Sequence, residues 1–334
     1  MNSLLGRRII MAHLPTPVHF LPRLSGELGI SLFVKRDDLT ESVASGNKLR
    51  KMEYLLFDAR ERGADTLVTC GGVQSNHCRA VAWVAARAGL RSVLLLRGEA
   101  PRTLEGNLLV DRLLGAEVRF HSAQEFQDID AVQAAVCDRL RSEGRHPCWI
   151  PMGGSNAVGA LGYVRMVQEL SDADLQFDHI YCAMGSGGTY AGLWIGVRHF
   201  QRAERLHAIA VCDDAAYFTA ELARIRREFR SRFGWTVDLS GAEAGMDDGH
   251  VGIGYALNTG EELRRMIQYA RTEGLVLDPV YTLKAFLGMT DHIQRGVIQP
   301  GERVLFVHTG GHYGLFPKHG ELAGALDGGA ASGG

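Results

Sequence analysis

The sequence predicts an α/β protein with two lobes, each containing a mostly parallel β-sheet with helices on both faces. Three observations support this prediction. Short apolar runs alternate along the chain with longer segments whose apolar residues recur at helical spacing. Glycine-rich turns follow several of these runs, as is typical of the carboxyl ends of parallel strands. The length of 334 residues exceeds that of a typical single domain, so two lobes are expected.

The composition is that of an ordinary soluble globular protein, with 46% hydrophobic and 22% charged residues. The net charge is 36 − 38 = −2 and no basic stripe is present, so nucleic acid is not an expected partner. No apolar run approaches the roughly 18 residues that a membrane helix needs. The first eleven residues lack the apolar core of a signal peptide. We therefore expect a cytoplasmic protein without a membrane partner.

The cysteines and histidines do not form a metal-binding pattern. The six cysteines contain no C-x-x-C pair, so we expect reduced and mostly buried thiols. His308 and His312 are four residues apart, but Gly310 and Gly311 between them disfavour a ligand-bearing helix. Residues 247–250 are interpreted as a polar turn. No metal is predicted.

The first half of the chain begins with extended segments and continues with alternating strands and helices. Prolines at positions 15 and 17 predict an extended opening, and residues 32–38 also have an extended pattern. A helix is predicted to begin at Asn47, a favourable N-cap residue. Strands are then predicted at residues 66–70, 92–96, 117–120 and 148–150, and helices at residues 75–88, 105–114 and 126–142.

The second half repeats this alternation. A helix runs from the turn at residues 153–156 toward residue 170, and a cleft is expected where strand ends from both lobes meet. Residues 326–334 are expected to be a disordered tail, since the last seven residues are only glycine, alanine and serine. Strands are predicted at residues 180–184, 207–211 and 303–307, and helices after residue 189 and at residues 216–232, 261–272 and 281–294.

Lys48 is the first candidate for a reactive group. A helix that begins at Asn47 places Lys48 in its first turn, where the positive end of the helix dipole lowers the pKa of an amine. A neutral lysine is able to attack a carbonyl carbon. Lys51 lies three residues later on the same face, where it is placed to hold an anion beside Lys48. The alternative, which this stretch alone favours, is a solvated basic helix start.

The loop after the strand at residues 180–184 is a candidate phosphate cradle. Its glycines let backbone N–H groups converge, and the following helix start adds partial positive charge. Tyr190 stands where a dinucleotide fingerprint requires its last glycine, and no Gly-Lys-Ser/Thr follows, so a lone phosphate fits best. A glycine-rich turn without a ligand is the alternative. The loop residues are Gly185, Ser186, Gly187, Gly188 and Thr189.

Two further segments combine polar side chains with a helix start. Ser75, Asn76 and His77 offer a hydroxyl, an amide and an imidazole beside free backbone N–H groups, which suits a carboxylate. A simple N-cap by Ser75 is the alternative. Tyr281 also stands at a predicted helix start, where its phenol is held in a cleft or packs in the core.

Together these motifs resemble one family in chain order. They are similar to the pyridoxal-phosphate enzymes of fold type II, specifically the D-cysteine desulfhydrase / 1-aminocyclopropane-1-carboxylate deaminase group. The matching segments span most of the chain: Leu14-Pro15-Thr16-Pro17, Lys35-Arg36-Asp37-Asp38, Gly46-Asn47-Lys48-Leu49-Arg50-Lys51, Gln74-Ser75-Asn76-His77, Pro151-Met152-Gly153-Gly154-Ser155-Asn156, Leu277-Asp278-Pro279-Val280-Tyr281-Thr282 and His308-Thr309-Gly310-Gly311.

The resemblance implies a two-lobed, tryptophan synthase β-like fold. Residues 1–50 and 160–325 would form the large domain that binds pyridoxal phosphate, and residues 51–159 would form the smaller α/β domain. The resemblance also implies a homodimer and a small amino-acid substrate.

The resemblance also implies roles for the cofactor-binding residues. Lys48 would form the Schiff base with the cofactor, and Lys51 would help to bind its phosphate together with residues 185–189. Asn76 would contact the ring hydroxyl, and Thr309 would face the pyridine nitrogen.

For the substrate, the resemblance assigns a second set of residues. Ser75 and His77, beside Asn76, would meet the substrate carboxylate. Tyr255 and Tyr281 would be the two active-site tyrosines, so the implied catalytic residues are Lys48, Ser75, Tyr255 and Tyr281. His312 either contacts the substituent on the substrate Cβ or caps a helix.

Several positions bear on the choice of substrate. Thr282 and His77 match the desulfhydrases, whereas the ring-opening deaminases carry Glu and Gln there. A hydroxyl at the pyridine nitrogen makes a weaker electron sink, which suits good leaving groups such as thiol. We therefore predict α,β-elimination from D-cysteine or a close β-substituted alanine to pyruvate, ammonia and sulfide. Residues 312–314 and the pair Gly71-Gly72 depart from the family pattern, which leaves 1-aminocyclopropane-1-carboxylate deaminase, L-cysteate sulfo-lyase and a non-catalytic cofactor-binding protein as alternatives.

Overall fold

A computed structural model describes residues 1–236, 238, 240–241 and 245–328. The strands in this part of the chain are β1 (Val18–Phe20), β2 (Ser31–Lys35), β3 (Thr66–Gly72), β4 (Arg91–Arg97), β5 (Glu117–His121), β6 (Pro147–Trp149), β7 (His179–Met184), β8 (Arg205–Ala210), β9 (Met246–Asp247) and β10 (Arg303–Val307). The α-helices are α1 (Asn2–Leu5), α2 (Pro22–Leu28), α3 (Asn47–Glu61), α4 (Asn76–Ala88), α5 (Gly106–Leu113), α6 (Ala123–Gln127), α7 (Ile129–Ser142), α8 (Ala157–Asp172), α9 (Gly188–His199), α10 (Ala215–Phe233), α11 (Gly260–Glu273), α12 (Thr282–Gln294) and α13 (His319–Gly328).

These strands form two sheets. The larger has the order β1-β2-β10-β7-β8-β9, and its pairs are parallel except for the antiparallel pair of β1 and β2. The smaller has the order β5-β4-β3-β6 and is parallel throughout. The predicted class, an α/β protein with mostly parallel sheets, is confirmed. Within the described residues, no helix is both long and apolar enough to cross a membrane.

The predicted domain boundaries fall inside two helices. The smaller sheet uses residues 66–149, but the boundaries after residue 50 and at residue 160 lie within α3 and α8. These helices pack against each other and bury most of their residues, because each contacts the core on more than one side. The exact division into domains stays a prediction.

Three local predictions differ from the structure. The helix predicted at residues 126–142 is broken at Asp128, whose carboxylate accepts from the backbone N–H of Ala131 at 3.2 Å and so starts α7 separately from α6. The strand predicted from residue 207 begins at Arg205, which pairs with His179. Residues 326–328 of the predicted tail belong to α13, and residues 329–334 lie outside the described residues.

A buried ionic cluster attaches the start of α3 to the larger sheet. Arg50 donates to both carboxylate oxygens of Asp37 at 2.8 and 2.9 Å and to Glu169 at 2.7 Å. Lys35 donates to Glu169 at 2.9 Å, and the Tyr163 hydroxyl donates to Asp37 at 2.6 Å. Two cations therefore face two anions without solvent, and the cluster connects β2, α3 and α8 beneath Lys48.

Candidate active site

A cavity of about 380 Å³ opens at the carboxyl ends of β3 and β7, between the two sheets. This is the edge where ligands bind in parallel α/β sheets. Its wall contains most of the predicted site residues: Lys48, Ser75, Asn76, His77, Gly185, Ser186, Gly187, Thr189, Tyr255, Tyr281 and Thr309. Three predicted residues are not part of this wall, namely Lys51, Gly188 and His312.

The helix that carries Lys48 is capped by Gly46 and not by Asn47, so the predicted N-cap was wrong. Gly46 has φ 109°, and a Cβ there would lie 2.4 Å from the carbonyl oxygen of Thr309, so only glycine fits. Asn47 is already helical: its backbone N–H donates to that same oxygen at 3.1 Å, and its side-chain amide donates to Thr189 Oγ1 at 3.0 Å. The first turn of α3 is thus attached to α9.

The Lys48 amine points into the cavity from this first turn. Its Nζ donates to Asn47 Oδ1 at 3.1 Å and lies 6.0 Å from the centre of the Tyr281 ring. Burial lowers the pKa of Lys48 to about 8; Asp278 opposes this shift and Arg79 adds to it. The direction agrees with the sequence prediction, but burial is the main cause and not the helix dipole.

Lys51 lies behind the cavity wall. Its Nζ donates to the carbonyl oxygen of Gly153 at 3.1 Å, and Gly153 itself lines the cavity. Burial, and then the charge of Lys48, place the pKa of Lys51 well below its usual value. In this arrangement Lys51 supports the wall through a backbone contact.

The loop between β7 and α9 forms the opposite wall. Gly187 caps α9 with φ 76°, and the first N–H groups of an α-helix have no partner within the helix. Ser155 supports the loop from behind: its hydroxyl lies 2.8 Å from the Ser186 hydroxyl and accepts from the Gly188 N–H at 3.2 Å. A glycine turn, a helix N-terminus and hydroxyl groups are a suitable donor set for a phosphate. Sequence analysis had quoted Ser155 only as part of a motif, without a role.

The start of α4 places three polar side chains at the third wall. Ser75 caps the helix, since its hydroxyl accepts from the Cys78 N–H at 3.2 Å. His77 is buried, and its Nε2 lies 2.9 Å from the Thr69 hydroxyl. Because Thr69 already donates to the Ile150 carbonyl oxygen at 2.8 Å, Nε2 of His77 is the donor of that pair.

His77 is therefore not a cationic ligand for a carboxylate. Burial, together with the charges of Lys48 and Lys51, holds its pKa well below the usual value, so the imidazole is neutral. Its Nδ1 is buried and has no hydrogen-bond partner of good geometry among the described residues, while the backbone carbonyl of Pro151 acts against burial and raises the pKa of the imidazole.

The two predicted tyrosines contact each other in the cavity that Lys48 lines. The hydroxyls of Tyr255 and Tyr281 are 2.5 Å apart. Tyr281 stands at the N-terminus of α12, and its ring lies against Gly185 in the loop between β7 and α9. Burial and the neighbouring phenol of Tyr255 raise the pKa of Tyr281 well above its usual value, so it keeps its proton at neutral pH.

The loop that carries Tyr255 is held by a lysine that sequence analysis missed. Lys284 of α12 is fully buried, and its Nζ donates to the carbonyl oxygens of Val251 and Gly254 at 2.6 Å each. The available signal was a lysine inside the apolar segment of residues 283–287. Asp278 holds the other tyrosine, because its carboxylate accepts from the N–H groups of Val280 and Tyr281 at 3.0 Å.

The histidines after β10 lie beside the cavity. His308 and His312 both donate from Nε2 to the carbonyl oxygen of Val276, at 2.9 and 3.1 Å. Together with Asp38 they form a compact group with ligand-type atoms within 4.8 Å of one another. The Asp38 carboxylate is already bound by Arg36 at 2.7 and 2.9 Å. The structure thus directs His312 to the backbone and not into the cavity.

The geometry fits pyridoxal phosphate. An amine with a lowered pKa faces the cavity, a phosphate-type loop lies across from it, and the amide of Asn76 and the hydroxyl of Thr309 line the space between them. The fold and the site together define a fold-type II pyridoxal-phosphate enzyme.

Comparison with known proteins agrees with this class. Residues 9–310 match the family model described as pyridoxal-phosphate dependent enzyme. The chain belongs to this family and, within it, to the group of 1-aminocyclopropane-1-carboxylate deaminases and D-cysteine desulfhydrases.

Individual relatives cover almost the whole chain. A protein of Thermotoga maritima, named putative 1-aminocyclopropane-1-carboxylate deaminase, is 44% identical over 93% of this chain and 98% of its own length. A mitochondrial protein of Arabidopsis thaliana, named bifunctional D-cysteine desulfhydrase/1-aminocyclopropane-1-carboxylate deaminase, is 39% identical over 94% of this chain and 80% of its own. A crystal structure of an ACC deaminase homologue superposes with a TM-score of 0.89 at 37% identity, over 97% of this chain and 98% of that chain.

Proposed function

We propose that the protein catalyses α,β-elimination from D-cysteine or a close β-substituted alanine, with pyruvate, ammonia and sulfide as products. The observation that carries the proposal is the pair of hydrogen-bonded phenols of Tyr255 and Tyr281 in the cavity that Lys48 lines, where the Lys48 amine lies 6.0 Å from the centre of the Tyr281 ring. An elimination needs a base for the substrate Cα and a proton donor near Cβ, and this arrangement offers both.

Each group has a role that follows from its surroundings. Bound pyridoxal phosphate supplies an electron sink that makes the substrate Cα proton removable. Lys48, whose pKa is about 8, is basic enough to accept that proton and is half neutral near that pH. The helix start at Ser75 offers N–H groups and a hydroxyl to the substrate carboxylate. Tyr281 holds a proton that a departing group can accept.

The residue after Tyr281 supports a thiol as the leaving group. Thr282 is fully buried, and its hydroxyl donates to Asp278 Oδ1 at 2.7 Å, so this side chain is turned away from the substrate. Proton donation to the leaving group therefore depends on the hydroxyls of Tyr255 and Tyr281. A thiol, with a pKa of about 8.5, is a far better leaving group than a carbon atom of a strained ring, so a phenol is a sufficient proton donor for it.

The test is a product assay on purified protein loaded with pyridoxal phosphate. We expect pyruvate and sulfide from D-cysteine, no turnover by Lys48→Ala, and a large loss of kcat in Tyr281→Phe with cofactor still bound. The panel includes L-cysteine, L-cysteate, S-alkyl cysteines and 1-aminocyclopropane-1-carboxylate. A wild-type protein that binds the cofactor and releases no pyruvate from any cysteine analogue would contradict the proposal.

A second candidate is 1-aminocyclopropane-1-carboxylate deaminase, which the names of the relatives favour. Formation of 2-oxobutyrate from that amino acid, faster than pyruvate from D-cysteine, would decide for it. Sulfite from L-cysteate would instead indicate a sulfo-lyase. Bound cofactor without turnover of any member of the panel would indicate a non-catalytic protein.

The proposal includes a cytoplasmic homodimer. The six cysteines are free thiols, in keeping with a reducing compartment. Light scattering of the loaded protein tests the dimer, for which a mass of twice 36.5 kDa is expected.

A further inference from the structure

Arg79 is a fully buried arginine that joins three parts of the site. It lies on α4, three residues after Asn76. Its Nη2 donates to the carbonyl oxygen of Ser45, in the loop that leads to Lys48, at 3.0 Å. Its guanidinium also lies 4.5 Å from the centre of the Tyr313 ring, in the segment after β10. The smaller lobe, the lysine loop and the C-terminal segment thus meet at one side chain.

The contact with Asn76 determines which way that amide faces. Nη1 of Arg79 donates to Asn76 Oδ1 at 2.9 Å. Because a guanidinium has only donors, the atom that faces it must be the amide oxygen. The NH2 group of Asn76 then points to the other side, and Asn76 lines the cavity. Among the described residues, that NH2 group has no hydrogen-bond acceptor in the protein, so it is available to a ligand.

The charge of Arg79 is not paired with a carboxylate. Its other polar partners are neutral, namely the backbone of Ser45 and the amide of Asn107. Asp111, on α5, is fully buried nearby, but neither of its oxygens has a hydrogen-bond partner among the described residues. Burial raises the pKa of Asp111 to about 8, so this carboxyl is mostly neutral at pH 7. Burial is the main cause of the lowered pKa of Lys48, and the charge of Arg79 adds to it.

We propose that Arg79 is a positioning residue of the cofactor site. It holds the oxygen of the Asn76 amide so that the NH2 group faces the ring oxygen of bound pyridoxal phosphate, and it keeps a buried positive charge beside Lys48. This inference rests on the proposed cofactor site, but it does not depend on which amino acid is the substrate.

Two variants separate the two roles. Arg79→Lys keeps the charge but cannot reach Asn76, Asn107 and Ser45 together, because a single ammonium replaces a planar fork. We expect this variant to release pyridoxal phosphate about tenfold faster than wild type. The reason is that the hydrogen bond from Arg79 to Asn76 is lost, so Asn76 no longer holds its amide toward the cofactor. Arg79→Met removes the charge as well. We expect Arg79→Met to raise the apparent pKa in the absorbance titration of the bound cofactor by about one unit. Arg79→Lys, which keeps the charge, should leave that apparent pKa unchanged.

The experiment uses the loaded protein and a double-mutant cycle with Asn76→Ala. Cofactor release is followed by absorbance after dilution into a carbonyl trap, and thermal unfolding is measured in parallel. If Arg79 acts through Asn76, Arg79→Lys adds nothing to the effect of Asn76→Ala. The matched control is Arg87→Met, an exposed arginine two turns later on α4, which should match wild type in both release and titration.

Three outcomes overturn the inference. Additive effects of Arg79→Lys and Asn76→Ala on release would mean that Arg79 acts independently of Asn76. A lower unfolding temperature with unchanged release and titration would mean that Arg79 is only structural. If the variants do not fold, a crystal structure of the loaded wild type decides, and an Asn76 NH2 group directed away from the cofactor would refute the inference. A wild type that does not bind pyridoxal phosphate would instead refute the proposed function.

Discussion

The expected reactivity of Lys48 depends on its burial in the folded protein. Burial lowers its pKa to about 8, while Asp278 and Arg79 act in opposite directions on the same amine. A lysine with the same neighbours in sequence but full solvation would keep a pKa close to the ordinary value of 10.5. The local sequence alone favours a solvated basic helix start, whereas the folded protein buries this amine and lowers its pKa.

This lowered pKa predicts how cofactor capture depends on pH. Only the neutral amine attacks the aldehyde, and with a pKa of about 8 the neutral fraction rises about fivefold from pH 7 to pH 8. We expect the second-order rate of pyridoxal phosphate uptake by cofactor-free protein to rise by about that factor and to level off above pH 9. Stopped-flow absorbance measures it. A rate that still rises tenfold per pH unit above pH 9 would show a lysine of ordinary pKa.

Gly71 and Gly72 are adjacent, yet we expect alanine to destabilise the protein at the first position and not at the second. A Cβ at Gly71 would lie 2.5 Å from Ser75 Oγ, whereas a Cβ at Gly72 has no atom within 4 Å. We expect Gly71→Ala to destabilise the protein by about 1–3 kcal/mol and to lower kcat/KM by displacing Ser75. Gly72→Ala should leave the free energy of unfolding unchanged. Denaturant unfolding of both variants checks this, and equal stabilities would contradict it.

At the scale of elements, α12 positions both tyrosines. Tyr281 stands at its N-terminus, and Lys284, three residues later, holds the loop of Tyr255 by two backbone carbonyls. One rigid helix therefore sets the distance between two phenols that are 26 positions apart in sequence.

This arrangement predicts a selective defect in Lys284→Met. Methionine fills much of the same space but leaves the carbonyl oxygens of Val251 and Gly254 without their donor. We expect kcat to fall about tenfold or more, while the affinity for pyridoxal phosphate is unchanged, because Lys284 donates to the carbonyl oxygens of Val251 and Gly254 and not to residues 185–189. Arg295→Met, at the exposed end of the same helix, is the matched control. A parallel loss of cofactor affinity in Lys284→Met would show that α12 supports the whole site.

At the scale of the whole molecule, the ionic cluster of Lys35, Asp37, Arg50 and Glu169 joins the larger sheet to the helices under the site. Arg50→Leu leaves two buried carboxylates with only Lys35 as a cation, so we expect a loss of about 3–5 kcal/mol in the free energy of unfolding. Arg62→Ala removes a surface pair with Asp58 on the same helix and should cost less than about 1 kcal/mol. Urea unfolding measures both, and similar losses would contradict the role of the cluster.

The same cluster predicts behaviour in acid. Burial by itself raises the pKa of Asp37, but the charge and hydrogen bonds of Arg50 outweigh it, and the pKa lies below the ordinary value of 3.8. A carboxyl group with a lowered pKa stabilises the folded state above the unfolded pKa and loses that effect as the pH falls through the folded value. We expect the contribution of Asp37 to be constant from pH 7 to about pH 5, to decrease below that and to be lost only as the pH falls through the folded pKa, which lies below 3.8. Asp37→Asn should flatten the acid limb of the stability curve.

Most of the fold could be predicted from the sequence, because strands and helices leave their periodicity in the chain. The short strands β1 and β9 and the helix α2 were not predicted, since three, two and seven residues are too few for a period to be visible. The break at Asp128 was missed because the apolar spacing continues across it, while the cap there depends on a single side chain.

The site was predictable in its residue types and less so in its contacts. Glycine loops and a lysine at a helix start each have a local signature, whereas the pair of Tyr255 and Tyr281, 26 positions apart, was expected only from the family resemblance. The roles of Arg79, Ser155 and Lys284 have none, because each acts on a backbone or side chain that packing brings to it. The direction of His312 was equally undetermined, since its partner, Val276 O, lies 36 residues away in the chain.

By itself the sequence determined the alternation of strands and helices and the glycine turns at strand ends, because these depend on local preferences and on residue type. Only the tertiary structure decided which loop faces Lys48, which groups shift its pKa and that His77 is neutral. The physical reason is that a hydrophobic period reports which face of an element is buried. It does not report what that face meets, and here the decisive partners, such as Asn47 and Thr189, lie 142 residues apart.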